Sequence, residues 1–525
     1  MVRRLPSSPV HSAAVVRAAD ETAQARFGMS GRSLMTAAAT VALADLRGFW
    51  PAARSCSVVC GPGNNGGDGY DFARLASAAG FAVSVHSVVS PGTLQGDARL
   101  AFEDWIAAGG TVRVWTAAEL ATPALGDALL ATDVVVDALF GIGLSRPLQG
   151  VWAHAVAAIN RAEGRIHALD IPSGVQADSG QELGLAVRAT FTSTFVGWKA
   201  GLFLAPGFAG RCRLHSLDIP DDAFAPPAVP LLRRIASSAL TFLPRRPRDA
   251  HKGRHGHVLV VGGDHGMPGA VRLAAEAALR SGAGRVTVAT RTEHARWLPL
   301  ACPEVMAVAC ETPADLLPRL TMADAVVCGP GLGRGAWGDS LLRAVLGGIG
   351  ERPLVLDADA LHGLLRVVAP RLPPVLWLTP HPGEAAVLLG TTVAAIQADR
   401  LGAVKALASR WRSVVVLKGA ATLVAGPATL TPWVCDLGNP GMGTAGMGDV
   451  LAGLCAGLAA QQQCDATFHF SSGEDGWVTL ATLAVLAHAA AGDAAARIGG
   501  ERGLIASDLF VPLRRLLNGG TEAVP

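Results

Sequence analysis

Short apolar runs rich in Val, Leu and Ile alternate with stretches of helical spacing along most of the chain, and Gly, Pro and Asn punctuate them. Residues 11–47 have helical spacing broken by the turn Gly28–Gly31. Ser57–Cys60 then reads as a buried strand stopping at Gly61-Pro62-Gly63. Further strands are expected over 81–89, 112–115, 134–139 and 166–171, with helices over 70–79, 97–108 and 153–161. Asp218-Ile219-Pro220 is expected to end the last strand of this half. A second series begins with the strand His257–Val261, the helix 271–281 and the strand 284–288, and it runs on to the strand Val414–Leu417. Strands alternating with helices predict parallel sheets covered on both faces, the α/β class.

A length of 525 residues suits two such domains. Pro226, Pro227 and Pro230, followed by a basic, proline-broken stretch from Pro244 to Arg254, mark an extended linker. The expected division is a domain over 1–222, a linker over 223–249 and a domain over 250–525.

Half the residues are hydrophobic, so both cores are well supplied and disorder is excluded. The net charge of +2 carries no basic stripe, which argues against a nucleic-acid partner. The densest basic cluster, Arg245-Arg246-Pro247-Arg248 with Lys252 and Arg254, reads as a linker or domain edge. Nine scattered cysteines without ligand or disulfide spacing fit reduced thiols and a cytoplasmic location. No secretory apolar region follows the basic start Met1–Pro6, and no membrane segment is expected. The most apolar stretch, 477–491, is interrupted by Thr479, Thr482 and His488 and reads as a buried Ala-rich helix.

Ligands of parallel sheets bind at the carboxyl ends of the strands. Three polar motifs stand there in the first half. They are Asn64-Asn65-Gly66-Gly67-Asp68-Gly69, then Asp137 followed by Gly141-Ile142-Gly143-Leu144-Ser145-Arg146-Pro147, and Asp170-Ile171-Pro172-Ser173-Gly174. Each alone is ordinary turn chemistry, but three together at one sheet end point to a site. In the second half the strand ends carry Gly262 to Ala270, Gly329 to Gly333, Asp357 to Leu361, Thr379 to Glu384 and Lys418 to Thr422. The stretch Gly438–Asp449 holds five glycines and opens a helix, so it offers bare N–H donors to phosphate. Asp449 at the mouth of that helix is either an N-cap or the group that takes a proton from a hydroxyl nucleophile.

The first-half motifs, with Thr194-Phe195 and Lys199-Ala200-Gly201, resemble the YjeF N-terminal family of NAD(P)HX epimerases. The second-half order resembles the ribokinase-like YjeF C-terminal family of ADP- or ATP-dependent NAD(P)HX dehydratases over roughly residues 240–515. The resemblance implies a Rossmann-like three-layer domain followed by a ribokinase-like domain. It implies a bifunctional repair of hydrated NADH and NADPH, with NADHX, NADPHX and an adenine nucleotide as small-molecule partners. Asn65, Asp137 and Ser173 fall on the family's potassium positions; amide, carboxylate and hydroxyl oxygens are hard ligands. Asn64, Asn65, Gly66, Gly67 and Asp68, with Gly141, Ile142, Gly143, Leu144, Ser145, Arg146 and Pro147, fall on its substrate loops, and Asp170 on a substrate-contacting acid and candidate general acid/base. Ala270, Gly331, Gly333, His381 and Asp449 fall on hydrate-contacting positions. Lys418, Gly419, Ala420, Ala421, Thr422 and Gly448 fall on adenine-nucleotide positions, with Asp449 as catalytic base. Mg²⁺ is allowed beside the nucleotide, without a dedicated protein cage. A homo-oligomer is expected. Asp357 and Asp359 read equally as cleft residues or as a capping pair, and carry no assignment.

Two other readings share parts of this pattern. A ribokinase-like small-molecule kinase with a non-catalytic N-terminal binding module would use the Gly448-Asp449 logic, and its phosphorylated product would accumulate. A binding or scaffold module for RNA would use the first fold, against which the near-neutral charge speaks.

Overall fold

The computed structural model describes residues 5–120, 129–224, 228–367, 371–465, 468, 470 and 474–519. The chain divides into two compact units, Pro9–Leu232 on one side and Met1–Ser8 with Arg233–Pro525 on the other.

The first unit holds a seven-stranded sheet. Its strands are β1 (Ser55–Cys60), β2 (Ala82–Ser87), β3 (Val112–Val114), β4 (Val134–Ala138), β5 (Ile166–Leu169), β6 (Phe191–Phe195) and β7 (Arg211–His215). They lie in the order β3-β2-β1-β4-β5-β6-β7, all parallel. The direction of winding reverses between β1 and β4, so their carboxyl ends flank a crevice. The helices α1 (Ala13–Phe27) and α2 (Gly31–Phe49) appear where helical spacing predicted them. Ser12 and Ser30 cap them by accepting from Val15 N and Ser33 N, and Gly28 ends α1 at φ 69°.

Two expectations are corrected here, and one strand was not anticipated. Asn64–Gly69 is not a turn: it forms the opening of helix α3 (Asn64–Ala78), with Gly63 as N-cap. Helix propensity is poor there, but a Cβ on Gly66 would meet the Gly61 carbonyl at 2.0 Å, so only glycine lets α3 sit this close to the end of β1. The last strand is Arg211–His215 rather than one ending at Pro220, because Leu217 and Asp218 turn the backbone at φ 55° and 59°. Strand β6, Phe-Thr-Ser-Thr-Phe, escapes a hydrophobicity reading because its central residues are polar, yet all five are buried.

The second unit carries β8 (Leu232–Ile235), β9 (His257–Val261), β10 (Arg285–Thr290), β11 (Met306–Ala309), β12 (Ala325–Cys328), β13 (Leu354–Leu356), β14 (Leu376–Leu378), β15 (Val414–Leu417), β16 (Thr422–Ala425) and β17 (Trp433–Cys435). The order is β11-β10-β9-β12-β13-β14-β15-β16-β17-β8. From β11 to β15 all pairs are parallel, and the two ladders of β16 are antiparallel. Here the winding reverses between β9 and β12.

Helix α4 (Pro268–Ser281) follows β9, and α5 (Met447–Cys464) packs along it. A Cβ on Gly453 would stand 2.0 Å from the Ala274 carbonyl, so glycine sets the closeness of this pair. Both helices therefore bring their N-termini, with Ala270 and Asp449, to the same sheet end. The stretch expected as a buried helix is α6 (Glu474–Gly499), long and apolar enough to cross a membrane, with 83% of its apolar window buried inside the unit.

The expected linker 223–249 is not extended throughout. Strand β8 pairs in parallel with β17, and Ser237–Phe242 forms a 3-10 helix with Ala239 and Leu240 buried. The apolar residues Leu232, Ile235, Ala239 and Leu240 outweigh the prolines around them. Pro226 and Pro227, like Met1 to Arg4, lie outside the described residues.

Candidate active sites

In the first unit a cleft of about 560 Å³ opens at the reversal between β1 and β4. Asn64, Asn65 and Asp68 of α3 line it, with Gly141 to Leu144 after β4 and Asp170 after β5. Arg17, Asp20 and Glu21 of α1 complete the wall. Gly66 and Gly67 are absent from it. They pack inward, a Cβ on Gly67 falling 2.6 Å from the Met35 side chain. Ser145, Arg146 and Pro147 stand exposed beyond the cleft.

Asp170 has φ 68°, rare for any residue but glycine. Lys199, fully buried, donates to its Oδ1 at 2.5 Å. Oδ2 accepts from Ile142 N at 3.3 Å. Lys199 was matched only as part of a motif; burial makes it the charge partner of Asp170. Asp68 has its pKa well above the ordinary carboxyl value, first through burial and then through the charge of Asp170.

Beneath the cleft, Asp137 at the end of β4 is fully buried. Burial raises its pKa to about 6, against hydrogen bonds from Ser173 N at 2.8 Å and Ser173 Oγ at 2.7 Å. Asn65 is buried, and neither Oδ1 nor Nδ2 of its amide has a hydrogen-bond partner. A Cβ on Gly141 would lie 3.6 Å from Asn65 Cγ and 2.9 Å from Asp170 Oδ2, which places these three together. An unpartnered amide oxygen, a buried carboxylate and a hydroxyl are oxygens of the kind a hard cation takes, so the chemistry of Asn65, Asp137 and Ser173 is compatible with one.

In the second unit the chemistry gathers at the carboxyl ends of β9, β12, β13, β14 and β15. Gly331, at φ 56°, approaches α4 so closely that a Cβ would stand 3.3 Å from that of Ala270. A Cβ on Gly333 would lie 2.5 Å from Asp264 Oδ2, and its N–H donates to Asp359 at 3.0 Å. His381 is the N-cap of α7 (Pro382–Leu389): its Nδ1 accepts from Gly383 N at 2.9 Å, and its own N–H donates to Glu384 at 2.8 Å. Nε2, on a half-exposed ring, stands 3.5 Å from Glu384 Oε1.

Lys418, past β15, donates to Asp357 Oδ1 at 2.8 Å and stands 3.8 Å from Glu384. Burial works against its ammonium, but Asp357 and Glu384 outweigh it and hold its pKa above the ordinary lysine value. Asp357, set aside in the sequence reading, is buried at 2% exposure and also accepts from Thr379 Oγ1, so it belongs to the site. Strand-end position after a buried Leu-Val-Leu was the available signal. Gly448 is next to this pair: its Cβ would lie 3.3 Å from Lys418 Nζ and 3.5 Å from Asp357 Oδ2.

Gly446, at φ 89°, occupies the N-cap position of α5, so Asp449 is not the cap. Its carboxyl accepts no hydrogen bond among the described residues, and its pKa is raised to about 7, by burial first and then by the charge of Asp357, with Lys418 opposing. The turn Gly419–Thr422 exposes Gly419 and Ala420. The buried Arg400 underpins that turn, donating to the Ala421 carbonyl at 2.7 Å. Among the described residues no cluster of three His, Cys, Asp or Glu could hold a metal ion.

A family model described as NAD(P)H-hydrate dehydratase matches residues 258–511, and one described as YjeF-related protein N-terminus matches residues 31–201. The chain is 42% identical over 495 residues to a bifunctional NAD(P)H-hydrate repair enzyme Nnr of Coxiella burnetii, covering 94% of this chain and 96% of the relative. It is 38% identical over 506 residues to that of Escherichia coli, covering 96% and 93%. A solved ADP/ATP-dependent NAD(P)H-hydrate dehydratase of Bacillus subtilis, co-crystallised with ATP and Mg²⁺, is 27% identical, with a TM-score of 0.46, covering 54% of this chain and 97% of that one. Matched along nearly its whole length at such identity, the chain belongs to the family of bifunctional NAD(P)H-hydrate repair enzymes.

Proposed function

We propose that the cleft of the first unit epimerises the hydrates of NADH and NADPH, and that the strand-end site of the second dehydrates the S epimer at the expense of ADP or ATP. One observation carries the assignment of the second site: an Asp449 carboxyl that accepts no hydrogen bond among the described residues, with a pKa of about 7, in the first turn of a helix opened by glycines. Such a group is half ionised near neutrality, where a general base works best.

Hydroxide is a poor leaving group and phosphate a good one. Asp449 takes the proton of the hydrate's hydroxyl as it attacks the terminal phosphoryl group of the nucleotide. The N–H groups at the start of α5 receive the transferring charge. The phosphorylated hydrate then loses phosphate, and loss of a ring proton restores the double bond. Ala270, Gly331, Gly333 and His381 hold the hydrate; Lys418 to Thr422 and Gly448 hold the nucleotide, with Mg²⁺ accompanying its phosphates. In the first unit Asp170 gives and takes the proton at the oxygen on the hydrated carbon, beside Asn64, Asn65, Asp68 and Gly141 to Leu144. Asn65, Asp137 and Ser173 would hold K⁺, whose fixed charge favours an anionic substrate group. Joining both activities lets one chain repair either epimer. A homo-oligomer is the proposed state in solution, read by light scattering.

The test is direct. Separated R and S hydrates are incubated with and without ADP or ATP, and dihydronicotinamide absorbance is followed. The S epimer returns NADH only with nucleotide, and the R epimer returns it after epimerisation. Return of NADH without nucleotide, or accumulation of a stable phosphorylated hydrate, would sink this reading.

A further inference from the structure

Lys199 has no exposed surface, and its ammonium ends inside the first unit. Nζ donates to Asp170 Oδ1 at 2.5 Å, to Thr194 Oγ1 at 2.9 Å and to the Phe195 carbonyl at 2.6 Å. An ammonium has three donors, so none is left for a substrate. A methionine would fill the same volume without the cost of removing a charge from water. The ammonium therefore answers a need other than packing, and among the described residues Asp170 is the carboxylate it hydrogen-bonds.

Asp170 is held twice by the same short segment. Its N–H donates to the Ser193 carbonyl at 2.7 Å, and its Oδ1 is taken by Lys199. These bonds support a backbone in the left-handed region, at φ 68°. The second oxygen, Oδ2, faces the Gly141–Ile142 wall, accepting from Ile142 N at 3.3 Å.

We propose that Lys199 is the positioning residue of the epimerase: by taking Oδ1 of Asp170 it presents Oδ2 to the hydrated carbon. This rests on Asp170 as the acid/base. Hydration of an enamine places the hydroxyl on the carbon bonded to nitrogen. Oδ2 gives its proton to that hydroxyl, the C–O bond breaks with the nitrogen lone pair forming C=N, and water leaves. The ring, now planar at that carbon, turns about its glycosidic bond, water adds to the face newly turned toward Oδ2, the lone pair returns to nitrogen, and the proton returns to Oδ2. One water leaves, one adds, and nothing is oxidised or reduced. Giving and taking at one oxygen requires that the carboxylate keep a single orientation, which a fixed ammonium on its other oxygen secures.

The test uses the full chain, whose nucleotide-dependent dehydration of the S epimer serves as an internal control. Lys199→Met keeps the length and removes the charge. Its epimerase kcat falls about 10²-fold, the scale of a 1 Å misplacement, while KM and dehydration stay near wild type. Lys199→Ala supplied with propylammonium recovers rate saturably, which a merely structural loss would not do. A Lys199→Met protein with wild-type kcat, or with only KM raised, overturns the inference, as does a folded Lys199→Ala protein indifferent to the amine. Asp170→Asn separates the two failures. If it epimerises at the wild-type rate, the Asp170 reading itself falls; if it is inactive while Lys199→Met is active, only the role of Lys199 falls.

Discussion

Lys418 Nζ stands 2.8 Å from Asp357 Oδ1, and this partly buried ion pair acts on Asp449 with one charge of each sign. Asp357 raises the proton affinity of Asp449 and Lys418 lowers it, with burial the larger cause of the value of about 7. A general base acts ionised, so dehydration rises with pH through that value. Asp357→Asn removes the larger of the two charges that raise it, leaving the lesser one of Asp359, while Lys418 keeps its lowering effect. The acid limb of kcat/KM for the S hydrate is then expected at lower pH, and Lys418→Met moves it higher. A limb that stays in place in both variants would detach Asp449 from this pair.

Asp449→Asn keeps size and loses basicity. Dehydration is expected to fall by ~10²–10⁴, the usual worth of a general base, while epimerisation continues in the first unit. Chromatography of both epimers, with and without nucleotide, reads the two activities apart. Wild-type return of NADH would remove Asp449 from the mechanism.

Gly448 leaves little room beside the Lys418–Asp357 pair, since a Cβ alone would stand 3.3 Å from Nζ, closer than ordinary contact. Gly448→Val is expected to fold, because the nearest atom ends a flexible side chain. Nucleotide would then have no room beside it. The thermal shift with ADP or ATP, worth about 2.7 kcal/mol at a hundredfold excess over Kd, is expected to disappear. A retained shift places the nucleotide elsewhere.

Asn65 carries a buried amide without partners among the described residues, and Asp137 is a fully buried carboxylate. K⁺ is expected to raise the melting temperature of the wild-type chain more than Na⁺ does. Asp137→Ala and Asn65→Ala lose that difference and the K⁺ dependence of epimerisation. Equal stabilisation by K⁺ in either variant would free that residue from the site.

Much of this was legible without coordinates. Strands of Val, Leu and Ile alternating with helical spacing specify parallel sheets, because each apolar strand needs cover on both faces. Once the sheets are parallel, Asn65, Asp137, Asp170, Asp357, Lys418 and Asp449 must gather at the strand ends. The motifs Asn64–Gly69 and Gly438–Asp449 were visible as glycine-rich, but their roles differ. Gly66 and Gly67 serve the packing of α3, whereas Gly446 and Gly448 open α5 toward the site.

Tertiary structure alone decided which charges meet. Lys199 is 29 residues from Asp170 and Lys418 is 61 from Asp357, and no periodicity links either pair. Strand β6 is polar in sequence and buried in fact because its hydroxyls and carbonyls find partners across the unit, such as Ser193 with Asp45. Local patterning fixes a residue's element and face, since those follow from backbone geometry within a few residues. The partner across the sheet depends on how distant segments pack, and so does the proton affinity that burial and that partner impose.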